Sequence, residues 1–209
     1  IRYVAKTGKP MIISTGMANF EEISEAVVTA RENGCDELVL LHCISSYPAP
    51  VEQSNLRTIT DLAEKFAVVP GLSDHTLGTT VSVASAALGA SVIEKHVTLS
   101  RDDKGPDSEF SLEPEELKRL CEETRTAWSA LGVSGYDRKP AEEANIKFRR
   151  SIYIVEDMKK GEQLTEKNMR RIRPGYGLAP KFYDELIGKH VNNNIKRGSP
   201  LSFELVDES

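Results

Sequence analysis

The chain has 209 residues, of which 39% are hydrophobic and 28% charged, with a net charge of −5 and a pI near 5.5. This composition excludes a disordered chain and the basic face that nucleic-acid binding requires. No stretch approaches the roughly 18 uninterrupted apolar residues of a membrane span, and no charged-then-apolar signal opens the chain, so a soluble protein with no nucleic-acid or membrane partner is expected.

Cys35, Cys43 and Cys121 are odd in number and lack a Cys-x-x-Cys spacing. Neither a disulfide framework nor a zinc knuckle is indicated, which fits a reducing cytoplasm. Cys43 reads as small buried filler, with a reactive thiol as the alternative. The chain opens on Ile1 rather than Met, and residues 1–9 resemble the tail of a helix and its exit turn, so a longer chain with a preceding segment is expected.

Pro10 to Ser14 predicts a short buried strand ending in Ser-Thr-Gly, with a helix following at once. Asn19 and Glu22 form a capping-box pattern, Ile23, Ala26, Val27 and Ala30 share one face, and Gly34 stops the helix. Ser14 and Thr15 at the turn are candidates either to hold an anion with the helix N–H groups or to cap the helix. Glu37 to Cys43 is an apolar strand in which His42 reads as a satisfied core histidine. It leads to Ser45, Tyr47 and Pro48, at a carboxyl-end loop where such sheets collect substrate contacts. The next helix spans Asn55 to Phe66.

The stretch from Val68 to Val97 then holds two strand-like runs around a small-residue helix, Thr79 to Leu88, and each run ends in a histidine. This is a βαβ unit, whose parallel strands bring their carboxyl ends to one sheet edge. Alternation puts Ser73 and His75 on one face and Glu94 and His96 on one face. Two neutral imidazoles beside a carboxylate suit an open, catalytic metal site; each histidine capping its own strand end is the alternative. The charged loop Ser100 to Phe110 contains Asp107, a candidate hydroxyl acceptor, and a helix from Pro114 to Leu131 ends at Gly132.

Four strand-helix units thus fill residues 10 to 132, each strand nearly continuous in apolar residues as parallel strands are. The expected fold is α/β, the C-terminal half of a (β/α)₈ TIM barrel over residues 1–132 with the first half absent; an open doubly wound sheet is the runner-up. Residues 133–147 read as a linker, and 148–209 as a small, mainly β domain. In it, Asp157-Met-Lys-Lys-Gly-Glu-Gln-Leu164 is echoed by Asn194-Ile-Lys-Arg-Gly-Ser-Pro-Leu201. Arg173 precedes a Pro-Gly break, a natural clamp for a carboxylate or hydroxyl, with a solvated loop arginine as the alternative.

Together Ser14-Thr15-Gly16-Met17, Leu41-His42-Cys43 with Tyr47-Pro48, Gly71-Leu72-Ser73-Asp74-His75-Thr76, Ile93-Glu94-Lys95-His96 and Gly105-Pro106-Asp107 resemble the sialic acid synthases. Arg149-Arg150-Ser151, the Lys-Lys-Gly-Glu turn and Arg173-Pro174-Gly175 resemble their antifreeze-like (SAF) domain. The resemblance implies condensation of phosphoenolpyruvate with an N-acylated aminosugar, releasing phosphate. It implies a divalent metal, Mn²⁺ with Mg²⁺ or Co²⁺ as alternatives, on His75 and His96. Ser14, Ser45 and Ser73 fall at phosphoenolpyruvate contacts, Tyr47 and Asp107 at sugar contacts, and Arg173 at the sugar site of a partner in a domain-swapped homodimer. Glu94 is the candidate to orient a catalytic water. Pro106 to Ser111, Pro180 to Tyr183, and Ser45 where sialic acid members carry Asn lean towards the pseudaminic acid branch, whose substrate is a 2,4-diacetamido-2,4,6-trideoxy sugar. His42 departs from the lysine of some members of that branch. The neuraminate and legionaminate synthases, a non-catalytic sugar-binding remnant and another two-histidine metalloenzyme remain alternatives. The family's amino-terminal phosphate ligands have no counterpart here, so the fragment alone is expected to be inactive.

Overall fold

A computed structural model describes residues 1–207, which form two compact units, 1–133 and 134–207. The first holds α1 (Arg2–Ala5), β1 (Met11–Ser14), α2 (Phe20–Glu32), β2 (Leu38–Cys43), α3 (Thr58–Phe66), β3 (Val69–Asp74), α4 (Thr80–Ala87), β4 (Val92–Lys95) and α5 (Pro114–Leu131). All three strand pairs are parallel, in the order β1-β2-β3-β4. A doubly wound sheet reverses its order at a switch point, whereas a barrel wall adds each strand beside its predecessor. The sequential order therefore makes this sheet half of a barrel wall, and the open doubly wound alternative is set aside.

Strand alternation divides the sheet into two faces. One presents Met11, Leu38, Leu40 and Leu72 to the helices, where they pack against Val27, Ala30, Ile59, Leu62 and Val81. Each fully buried aliphatic side chain contributes about 1.5–3 kcal/mol. The other face, which in a barrel is the interior, carries Ile12 and Val69, 59% and 45% exposed. Here a Cβ on Gly71 would collide with the Leu41 side chain and the Val92 carbonyl, so the approach of β2 and β4 to β3 requires glycine.

One expected boundary holds and one shifts. Helix α2 starts where Asn19 and Glu22 close their capping box at 2.9 and 2.8 Å, with residues 15–19 between it and β1. Helix α3 starts at Thr58 rather than Asn55, because Asn55 adopts φ +40° and turns the chain first.

The second unit contains α6 (Pro140–Glu143), an antiparallel pair of β5 (Ser151–Ile154) and β6 (Met169–Ile172), and the one-turn α7 (Tyr183–Leu186). Its core collects Ile152, Ile154, Leu164, Met169, Leu186 and Leu201, all fully buried. The two sequence repeats pair with each other through reciprocal Met158 and Ile195 backbone bonds of 2.8 and 2.9 Å. Their first residues exchange caps: Asp157 accepts from the Arg197 N–H and Asn194 from the Lys160 N–H, each at 2.8 Å. Gly161 and Gly198 hold the turns at φ +86° and +88°.

The Arg197 N–H first, and the Lys196 ammonium at 2.8 Å second, hold the Asp157 carboxyl below its ordinary value. A carboxyl whose folded value is depressed contributes stability above its unfolded value, near 3.9, and loses it as pH falls through the folded value. Asp157→Asn reproduces the neutral cap seen at Asn194 and removes that titration. In urea melts from about pH 7 down to about pH 2, the variant should have a lower midpoint than wild type near neutrality, lose less stability on acidification and converge on wild type below about pH 4; an unchanged acid limb would exclude this role.

Candidate active site

The ladder between β3 and β4 pairs Ser73 with Glu94 and Asp74 with Lys95. His75 and His96 each follow one residue beyond their strand. Their rings stand 5.3 Å apart, centroid to centroid, in an edge-on arrangement. The convergence expected from alternation is present.

His75 is 7% exposed, and its Nδ1 lies 2.9 Å from the Ile44 carbonyl oxygen. A carbonyl only accepts, so Nδ1–H donates to it, an arrangement that in the neutral ring leaves the lone pair on Nε2. His96 is half-buried, with Nδ1 3.6 Å from the Asp107 carboxylate. A carboxylate beside Nδ1 likewise favours Nε2 as the donor nitrogen. Two imidazoles oriented by a carbonyl and a carboxylate fit a first-row divalent ion, and they leave its remaining positions open. Among the described residues no group of three His, Cys, Asp or Glu side chains gathers around such a point.

Below the histidines the Ser73 hydroxyl, buried, donates to Glu94 Oε1 at 2.7 Å. Glu94 itself is exposed on the interior face. Ser14 ends β1 on the same face, also exposed. Ser45 follows β2, and its hydroxyl lies 3.2 Å from where a Cβ on Gly16 would stand, so a side chain there would press on the serine. Ser14, Ser45 and Ser73 thus come from three successive strand ends. Thr15 does not join them: it is buried and its hydroxyl donates to the Leu41 carbonyl at 3.1 Å. The helix N-terminus expected beside it is closed by its own capping box.

Two loops form the walls. Ala49 N–H donates to the His75 carbonyl at 2.9 Å, pinning the 44–49 loop so that the Tyr47 ring sits 4.3 Å from the His75 ring. Leu112 N–H donates to the His96 carbonyl at 2.9 Å, and Phe110 packs 5.1 Å from His96 and 5.6 Å from Tyr47. The charged loop is held rather than freely solvated, since Arg101 bonds the Ser111 carbonyl at 3.1 Å and Glu116 at 2.5 Å. Phe110 as a wall was missed by residue-level reading, although it lies in a motif already noted.

Behind the histidines, on the helix-facing side, Asp74 and Lys95 form a 2.8 Å ion pair with side chains only 1% and 3% exposed. Burial pushes the Asp74 carboxyl up, but hydrogen bonds from Lys95, Ser82 and the Thr76 backbone outweigh it and hold the group below the ordinary range. Sequence reading saw Asp74 only as a neighbour of His75. The cue was available in the pairing of a basic and an acidic residue at matching strand positions.

Arg173 lies in the second unit, exposed, one residue past β6. Ser151 fastens the loop that follows, donating to the Pro174 carbonyl at 2.7 Å and accepting from Gly177 N–H at 2.9 Å.

A family model described as the NeuB family matches residues 1–136, and one described as the SAF domain matches residues 149–207. The chain belongs to the NeuB family. It is 44% identical to a pseudaminic acid synthase of Campylobacter jejuni over 201 residues, covering 96% of this chain and 59% of that protein. It is 42% identical to an N,N'-diacetyllegionaminic acid synthase of the same organism over 199 residues, 94% of this chain and 60% of that one. The crystal structure of a spore coat polysaccharide biosynthesis protein of Bacillus subtilis superposes over 100% of this chain and 64% of that chain, with a TM-score of 0.60 and 32% identity. The chain therefore spans about three fifths of the length of these NeuB-family relatives. No helix among the described residues is long and apolar enough to cross a membrane.

His42 stands apart from the site. It lies on the helix-facing side, buried, with Nε2–H donating to the Ser54 carbonyl at 2.7 Å. Burial lowers its basicity more than that carbonyl raises it. The folded state therefore binds less proton than the unfolded chain below about pH 6.5, and stability falls on acidification through that range. His42→Gln should remove this slope and leave metal binding unaltered, as thermal midpoints between about pH 7.5 and pH 5 would reveal.

Proposed function

We propose that this chain carries the histidine-bearing half of a nonulosonic acid synthase active site. The enzyme condenses phosphoenolpyruvate with a 2,4-diacetamido-2,4,6-trideoxy sugar to give pseudaminic acid and phosphate. The observation that carries the reading is the pair of imidazoles, their ring centroids 5.3 Å apart, at the carboxyl edge of a barrel wall, in a chain 44% identical to a pseudaminic acid synthase. The legionaminate reading stays beside it because identity to that relative is 42%, nearly the same.

His75 and His96 hold the divalent ion, Mn²⁺ by preference, with Mg²⁺ or Co²⁺ as alternatives. When bound, such an ion supplies a Lewis acid for the aldehyde oxygen at C1 of the open-chain sugar. Ser14, Ser45 and Ser73 offer hydroxyls to the carboxylate and phosphate of phosphoenolpyruvate, whose C3 forms the new bond to C1. Glu94 orients the water that adds at C2 and takes its proton, and phosphate leaves with cleavage of its C2–O bond. Tyr47 walls the sugar beside His75, and Asp107 accepts from a sugar hydroxyl while steadying His96.

Arg173 completes the sugar site, and the enzyme works as a domain-swapped homodimer in which it reaches the partner's barrel. Charge supports the assignment. Residues 1–133 carry 20 acidic against 12 basic side chains, residues 134–209 carry 12 against 15, so the second unit supplies the positive charge that an acidic barrel lacks towards anionic substrates.

Phosphate release by the full-length enzyme, assayed with each aminosugar, decides the substrate. His75→Ala and His96→Ala should each abolish Mn²⁺-dependent release while the fold persists by circular dichroism; near-normal turnover in either would refute the metal assignment. Arg173→Ala should raise the sugar KM and lower kcat with metal affinity unaltered, since a charge-assisted contact contributes about 1.5–3 kcal/mol. Mixing inactive His75→Ala with impaired Arg173→Ala chains should restore one fully working site per heterodimer. No recovery in a mixture that contains heterodimers would rule out action across the dimer.

A further inference from the structure

The β3–β4 ladder ends at Asp74 and Lys95, and His75 and His96 both stand one residue beyond it. Backbone pairing between these strands therefore stops just short of the two residues whose separation matters most. What spans the gap lies behind the sheet. Lys95 Nζ donates to Asp74 Oδ2 at 2.8 Å and to the Thr76 carbonyl at 2.5 Å. Asp74 Oδ1 accepts from the Thr76 N–H and hydroxyl, both at 2.8 Å, and Oδ2 also accepts from Ser82 of α4 at 2.5 Å. The residues flanking His75 on both sides are thus tied to the residue preceding His96. With four donors on one carboxylate, the pair is fully satisfied, which a buried ion pair needs if it is not to destabilise the fold.

We propose that Asp74 and Lys95 are positioning residues that set the spacing of the His75 and His96 imidazoles, and so the affinity of the site for its divalent ion. This rests on the reading that those histidines hold the ion. Neither residue can touch the ion or the substrates, because both side chains point to the helix-facing side while the imidazoles face the interior. They act by preventing the two strand ends from splaying. A hydrophobic pair of similar volume would satisfy packing at this place, but it would not tether the Thr76 carbonyl to β4. Outer partners that orient metal-binding histidines change affinity by about 10–100-fold when removed.

The test separates tethering from mere stability. In the full-length enzyme, Mn²⁺ affinity is measured by the loss of the free-Mn²⁺ electron paramagnetic resonance signal, and stability by thermal unfolding of the metal-free protein. Lys95→Met leaves Asp74 buried without its cation, so both stability and affinity should fall, affinity by about ten-fold or more. Adding Asp74→Asn removes the uncompensated charge. The double variant should regain most of the lost thermal midpoint yet stay about ten-fold or more weaker for Mn²⁺, because the cross-strand tether is still missing. Leu62→Ala, a buried substitution on the helix side away from the strand ends, should lower the midpoint without moving the affinity. If the double variant regains affinity together with stability, or if Lys95→Met binds Mn²⁺ like wild type, the pair is only structural and the proposal fails. If wild type and His75→Ala bind Mn²⁺ alike, the metal reading itself falls and takes this proposal with it.

Discussion

The parallel register of β3 on β4 is the constraint on which the first unit's site depends. With Ser73 opposite Glu94 and Asp74 opposite Lys95, one face of these strands is committed to polar groups open to the interior and the other to a buried ion pair. A slip of one residue would exchange those faces, sending the lysine to the interior and the serine against the helices. Register here is therefore specified by chemistry as well as by packing. Gly71 adds a steric lock two residues earlier, since only glycine tolerates the approach of Leu41 and Val92.

Much of this arrangement was legible in the residues. Apolar runs of strand length alternating with helical periodicity located all four parallel strands, and period-two alternation brought His75, His96, Ser73 and Glu94 onto one face. The Asn19 and Glu22 capping box was read directly because its two hydrogen bonds are local. His42 was also read correctly as a core residue, its imidazole being spent on the Ser54 carbonyl.

What escaped reading depends on contacts between residues distant in sequence. Thr15 does not join the anion-binding groups considered for the strand-to-helix turn because its hydroxyl is committed to Leu41 on the next strand. Phe110 becomes a wall of the site only because Leu112 pairs with His96 and Arg101 fastens the loop to the start of α5. The environment of Cys43 is equally non-local: its sulfur lies 3.9 Å from His75 Nδ1, and it is buried filler in a position that touches the candidate site. Periodicity reports which face a side chain takes, but not which distant group meets it there.

In the second unit the exchange of caps between the two repeats ties the fate of one turn to the composition of the other. Asp157 holds the Arg197 amide and Asn194 holds the Lys160 amide, so the side chain that stabilises each turn is encoded in the opposite repeat. A substitution at either position is felt remotely, by a glycine turn on the far side of the pseudo-symmetric pair. Drift at these two positions is accordingly expected to be correlated, with an acceptor retained at one whenever the turn it serves is retained at the other. The short acceptors Asp and Asn are interchangeable in that role, whereas longer or apolar side chains would uncouple the halves.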